Sequence, residues 1–182
     1  GYFRVGAARV RDSKNLGVID VSTVLSRSSN VGAGKIALGL DKRDLWQAMD
    51  RLGFGSTAQT GFPGEAAGQL SDYRRWALID QATLSFGYGI SVTTLQLAQA
   101  YAVLANDGVL LPTTLIKRDT PPQGRRVFSV QTTKRLRKML ESVVSADGTA
   151  PQAAVKGYRV AGKTGTVKKF GPQGYSDDRY LS

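Results

Sequence analysis

Lys163-Thr164-Gly165-Thr166 and Ser28-Ser29-Asn30 are the two places in this 182-residue chain where residue type and spacing suit chemistry. In the first, small hydroxyl residues flank a glycine beside a cation. On a strand, side chains alternate between faces, which would put Lys163 and Gly165 on one side and Thr164 and Thr166 on the other. Gly165 has no Cβ, so a ligand backbone could lie against the strand edge. The hydroxyls could bind a carboxylate or carbonyl while Lys163 adds a positive field, which makes a wall for an anionic peptide tail. In the second group, Ser28 and Asn30 would project a hydroxyl and an amide into a cleft. Plainer readings stand beside these: a strand that merely contains small residues, and Ser and Asn that only cap helices.

Two absences narrow the chemistry. The chain has no histidine, so no Ser-His-Asp or Cys-His arrangement is available. It has no cysteine either, which removes thiolate nucleophiles, disulfides and thiolate-bound zinc and leaves the redox compartment open. Proton transfer must then use Lys, Tyr, Asp, Glu or a hydroxyl. The net charge of +11 and pI near 10.1 raise another class, a nucleic-acid or anionic-surface binder. The basic residues are scattered, however, in short groups such as Arg9 and Arg11, Lys42 and Arg43, Arg74 and Arg75, and Lys134 to Lys138. No nucleic-acid motif accompanies them, and no nucleic-acid partner is expected. No run approaches the ~18 apolar residues of a membrane span, and Gly1–Val10 lacks the apolar core of a signal peptide.

The elements that must position these groups are mostly helical, and the length suits one domain. Residues 1–20 read as irregular or edge-strand structure. Ser22 is placed as the cap of a short helix through Val24 and Leu25, and a second helical run follows Asn30. Asp41 caps a helix that stops at Gly53, and a long glycine-rich loop runs from Phe54 to Leu70. Ser71-Asp72 begins a short helix with Trp76 and Leu78 inside. Leu84–Ile90 reads as a turn or short extended element. Thr93 or Thr94 caps the clearest helix, whose wide apolar face (Leu97, Tyr101 and Leu104 among it) predicts deep burial up to Asn106. Val109–Leu115 is an edge strand at best, and Pro121-Pro122-Gln123-Gly124 a turn. A basic amphipathic helix with Leu136, Met139 and Leu140 inward follows, then a strand over Tyr158–Val167. Helices first, a strand late and no βαβ alternation point to α+β packing.

The two groups are two of the three motifs shared by penicillin-binding proteins and class A β-lactamases, namely Ser-x-x-Lys, Ser-x-Asn and Lys-Thr-Gly. The likeness extends well beyond them. Arg27-Ser28-Ser29-Asn30-Val31-Gly32 resembles the second-motif segment of the class B, septal cell-division transpeptidases. Ser85 to Ala98 is similar to their glycine-aromatic segment and the helix after it, Gly61-Phe62-Pro63-Gly64-Glu65 to one of their loops, and Ala161 to Lys169 to their third-motif strand.

The resemblance implies a penicillin-binding-protein and serine β-lactamase-like α+β domain, with helices packed on an antiparallel sheet. It implies a peptidoglycan D,D-transpeptidase that cross-links stem peptides through a serine acyl-enzyme and is inhibited by β-lactams. Ser28, Asn30 and Lys163 would be catalytic, while Thr164, Gly165, Thr166, Tyr88 and Phe86 would bind substrate. No cofactor or metal is implied. Division proteins would be partners, and an inner-membrane anchor would hold the catalytic domain in the periplasm. The chain departs from the family at one place: no Ser-x-x-Lys pair occurs anywhere in it. Residues 1–182 are therefore expected to be an incomplete transpeptidase domain, without the upstream Ser-x-x-Lys segment and the C-terminal strands. Alone it should be inactive. An elongation transpeptidase or β-lactam sensor, and a basic binding module without catalysis, are the competing readings. Lys163 and Ser28 are expected to meet across one groove.

Overall fold

A computed structural model of the chain describes residues 1–120, 122–171 and 174–181. The chain opens on a hairpin, the strand alternative of the reading for residues 1–20: β1 (Tyr2–Val5) pairs antiparallel with β2 (Ala8–Arg11), Phe3 opposite Val10. Gly6 turns between them at φ 60°, where a side chain would be strained. Alternation puts Phe3, Val5 and Val10 on one face, and that face packs on Ala82, Val31, Leu38, Ile79 and Phe86. The short apolar and basic alternation leaves both irregular and edge-strand structure open, and the strand is what forms.

Two helices follow, joined by a tight corner. α1 (Val21–Ser26) is capped by Asp20, whose Oδ1 accepts from the Thr23 amide at 2.7 Å, so the expected cap at Ser22 is corrected by two residues. α2 (Asn30–Leu38) is capped by Ser29. α3 (Lys42–Arg51) starts at the Asp41 cap and ends before Gly53 at φ 91°, as its sequence signals imply. After the long loop, Asp72 caps a single 3-10 turn (Tyr73–Arg75), and Trp76 is buried with its Nε1 donating to Ser71 Oγ at 2.9 Å. Leu78, expected inside, is 60% exposed. It opens α4 (Leu78–Leu84), a helix the sequence reading did not resolve, whose buried face lies further along at Gln81, Ala82 and Leu84. Gln81 Nε2 donates to the carbonyls of Ala37 and Leu40 and so closes the end of α2 against α4.

α5 (Thr94–Ala105) begins at Thr93 with a reciprocal cap from Gln96. Gln96 is buried and spends its amide completely: Oε1 accepts from the Thr93 amide, and Nε2 faces the carbonyls of Gly53, Ser56 and Ala67. One polar side chain thus pins the glycine-rich loop to a helix start. The deep burial expected for α5 is not observed. Only Gln96, Ala100 and Val103 are buried, while Leu97 is 45% and Tyr101 39% exposed and Leu104 is half-buried. An apolar composition all round a helix says what could be covered, whereas contact with α6 and the loop covers one stripe.

The strands form four separate antiparallel pairs among the described residues: β1 with β2, β3 (Gln69–Leu70) with β4 (Ile90–Ser91), β5 (Val109–Leu110) with β6 (Arg125–Arg126), and β7 (Val167–Gly171) with β8 (Gly174–Leu181). Pro121, the first residue of the expected turn, lies outside the described residues, as does Ser182. α6 (Val130–Glu141), capped by Ser129, buries Thr133 and Leu140 and leaves Lys134, Arg135 and Lys138 exposed. Arg137 turns inward instead, pairing with Asp107 at 2.7 Å and capping carbonyls at the end of α5. The strand expected over Tyr158–Val167 is corrected: regular pairing starts only at Val167, because residues 158–166 find no ladder partner among the described residues. Mixed helices and antiparallel strand pairs are the α+β class the sequence implied. Among the described residues no helix is long and apolar enough to cross a membrane.

Candidate active site

The corner between α1 and α2 sets the first side chain. Ser28 takes φ 55°, a left-handed conformation that costs a non-glycine residue roughly 1 kcal/mol, and its amide donates to Leu25 O at 3.2 Å. Its neighbour Ser29 is buried: Oγ donates to Asp12 Oδ2 at 2.6 Å and accepts from the Gly32 amide at 2.9 Å. The other Asp12 oxygen accepts from the Val31 amide at 3.0 Å. A Cβ on Gly32 would sit 2.4 Å from Val24 Cγ2, so with valine at 24 the glycine lets the two helices meet this closely. Ser29, Asp12 and Gly32 are thus structural, and together they hold Ser28 out at an exposed, strained corner.

Lys163 reaches that corner from 135 positions away. Its Nζ donates to Ser28 Oγ at 2.7 Å, to the Thr164 carbonyl at 3.0 Å and to Thr164 Oγ1 at 3.3 Å. Burial pushes the Lys163 ammonium below the ordinary lysine pKa of 10.5. The carrying segment is fastened to the end of α6, where Gly162 N donates to Leu140 O at 3.3 Å. Thr164 Oγ1 also meets Thr149 Oγ1 at 3.1 Å. Gly165 and Thr166 lie on the exposed side, and a Cβ added to Gly165 would meet nothing within 4 Å, which leaves the backbone open to a ligand.

Asn30, Phe86 and Tyr88 gather elsewhere. With Arg11, Ile79 and Thr83 they line a cavity of ≈ 470 Å³. Phe86 also packs on the Val5, Val10 and Ala82 core and meets Tyr88 edge-on, ring centres 5.9 Å apart at 76°. A Cβ added to Gly87, which takes φ 96°, would lie 3.9 Å from Val167 Cγ2 in the first residue of β7, so the turn faces that strand. The structure therefore brings Ser28, Lys163 and Thr164 into direct contact, and Asn30 into a shared cavity with the two aromatics. It does not bond the Asn30 amide to Lys163. Sequence reasoning missed Asp12 and Thr149, since no spacing rule links a loop residue to a partner fifteen or more positions away in the chain.

A hydroxyl on a strained helix corner, bonded to a half-buried ammonium beside an exposed Gly-Thr edge, is the arrangement that the motif resemblance implies. Residues 4–182 match the penicillin binding protein transpeptidase domain, and the chain belongs to that family, in its class B branch. It is 40% identical over 180 residues to the probable peptidoglycan D,D-transpeptidase PenA of Neisseria meningitidis, covering 99% of this chain and 31% of the relative. Its fold is similar to the transpeptidase domain of Burkholderia pseudomallei penicillin-binding protein 3, with TM-score 0.94 and 46% identity over 99% of this chain and 55% of the other. It is similar too to Mycobacterium tuberculosis penicillin-binding protein 3 in complex with aztreonam, TM-score 0.91 and 34% identity over 99% and 45% of the two chains. The chain spans about a third (31%) of the length of the curated relative and about half (55%) of the first solved chain.

Proposed function

We propose that this chain is the part of a septal peptidoglycan D,D-transpeptidase that holds its Ser-x-Asn and Lys-Thr-Gly groups. The observation that carries the reading is the 2.7 Å bond from Lys163 Nζ to Ser28 Oγ, which joins two motifs 135 positions apart. The nucleophilic serine and its lysine are not among these residues, since no Ser-x-x-Lys pair occurs in the sequence. In the reaction, that serine attacks the D-Ala-D-Ala amide of a stem peptide, D-Ala leaves, and the acyl group passes to an amine of a neighbouring strand. A β-lactam would acylate the same serine, as the aztreonam complex of the mycobacterial relative suggests.

The named residues support this in distinct ways. Because Ser28 Oγ accepts from the Lys163 ammonium, its own proton is free to pass to a departing nitrogen, and Lys163 can replace it. Burial lowers the lysine pKa, which makes that proton easier to release. Thr164 and Thr166 would bind the substrate carboxylate, with Gly165 leaving room for its backbone. Asn30 would hold the substrate amide, and Phe86 and Tyr88 would line the cleft. A membrane anchor, a periplasmic site and division-protein partners belong to the same proposal.

Penicillin labelling of the full-length protein tests it. The parent should carry a covalent fluorescent penicillin after denaturation, and Lys163→Ala should slow labelling by a factor of about 100 or more, the scale of losing a group that moves a proton. Turnover of a D-Ala-D-Ala substrate then separates an enzyme from a β-lactam sensor. An unlabelled parent, or a Lys163→Ala variant labelled at the parental rate, would overturn the assignment.

A further inference from the structure

We infer that Thr149 is a positioning residue for this site: its hydroxyl holds the Thr164 hydroxyl in the orientation that receives the Lys163 ammonium. The inference rests on the transpeptidase reading above. Nothing in the motif pattern marks Thr149, which lies in a surface loop fifteen positions before Thr164. Yet its Oγ1 stands 3.1 Å from Thr164 Oγ1, and that atom is 3.3 Å from Lys163 Nζ. Either hydroxyl could donate in the pair. Thr164 Oγ1 accepts from the ammonium and still has its proton and a second lone pair, so it can serve Lys163 and Thr149 at once. The result is a continuous chain from Ser28 Oγ through Lys163 Nζ and Thr164 Oγ1 to Thr149 Oγ1. Of the three staggered settings open to a threonine hydroxyl, this contact selects the one that faces the lysine.

The contact is useful only if Thr149 is itself held still, and the fold provides for that. Gly148 N donates to Ser145 O at 2.9 Å and Ala150 N to Val143 O at 2.9 Å, one anchor on each side of Thr149. Gly148 lies so close to the end of α6 that a Cβ there would sit 2.1 Å from Val143 O. The Lys163 segment hangs from the same helix end through Gly162 N and Leu140 O. The turn that follows α6 thus holds the Thr149 side of the contact, and the last turn of α6 holds the Thr164 side through Leu140 O. α6 also packs against α1, which ends next to the Ser28 corner. All four members of the chain are thereby tied to α6 or to the turn that follows it.

The test uses the full-length protein and fluorescent penicillin, with the rate of acylation separated from the strength of the encounter complex. Thr149→Val keeps the side-chain shape and removes the hydroxyl, whereas Thr149→Ser keeps the hydroxyl. The valine variant should acylate about tenfold more slowly, the loss carried by one hydrogen bond, with the encounter constant within about twofold of the parent. Serine should restore the rate, which a purely steric role of the loop would not require. The pair Thr149→Val and Thr164→Val should be no slower than Thr164→Val alone if Thr149 acts through Thr164. That comparison stays informative even where valine lowers the melting temperature. Parental acylation by Thr149→Val, failure of serine to restore the rate, or additive losses in the double variant would each overturn the inference while leaving the transpeptidase reading intact. A parent that takes no label would overturn both.

Discussion

Ser28 and Lys163 each carry a cost in the fold. Ser28 sits in the left-handed region at φ 55°, where glycine would be at ease. Ser28→Gly is therefore expected to keep or slightly raise the melting temperature, by the equivalent of up to about 1 kcal/mol. The same change should slow penicillin acylation of the full-length protein by about tenfold or more, through loss of the hydroxyl that Lys163 holds. A glycine variant that is both less stable and fully reactive would contradict this account. Lys163 pays through desolvation, which lowers its pKa in the fold from 10.5. Between the lowered value and 10.5 Lys163 binds more protons in the unfolded chain than in the folded one, so its own contribution to stability rises with pH across that window, against the opposite slope from the raised Tyr101. Lys163→Met should abolish that rise, as melting temperatures measured from neutral pH to about 10.5 would show.

At the scale of elements, the α1–α2 corner and the end of α6 are the two platforms on which the contact between the motifs depends. The corner works because Gly32 lets α2 lie on Val24 and because Ser29 and Asp12 satisfy the first amides of α2. Gly32→Ala would drive a methyl to 2.4 Å from Val24 Cγ2, and it should destabilise the protein by about 1–3 kcal/mol, as overpacking does. Val24→Ala opens the space the methyl needs, so the double variant should melt above Gly32→Ala alone. Equal melting temperatures for the two would show that the corner can rearrange in some other way.

The whole molecule carries a charge of +11, yet the exposed cations of α6 and of the scattered Arg pairs are placed at large on its surface. Arg137 shows that charge is also spent internally, where it holds Asp107 below the ordinary carboxylate pKa of 3.8. Any DNA affinity of the chain should therefore be weak and salt-dependent, with no sequence preference in an anisotropy titration. The chain on its own should form no covalent penicillin adduct, since an acyl-enzyme needs a serine with its base one helical turn away and no such pair is present. A denaturation-resistant label on Ser28 would contradict the roles assigned to both motifs.

Much of this was legible in the residues alone. Helix caps at Asp41 and Thr93, the stop at Gly53 and the basic face of α6 follow from local signals that act within a turn or two of the chain. So does the presence of Ser28 and Lys163 as candidates, because residue type and spacing limit which chemistry a chain without histidine or cysteine can perform. What local signals could not reach was whatever depends on contact between distant segments. The exposure of Leu97 and Tyr101, the pairing that makes residues 2–11 a hairpin, and the lack of a ladder partner for residues 158–166 among the described residues were decided by which surfaces found partners. The meeting of Lys163 with Ser28 was expected from the motifs, but its 2.7 Å geometry, the Asp12 brace and the Thr149 contact came only with the fold. Periodicity reports what a side chain could bury or bond, whereas packing decides which neighbour is there to receive it.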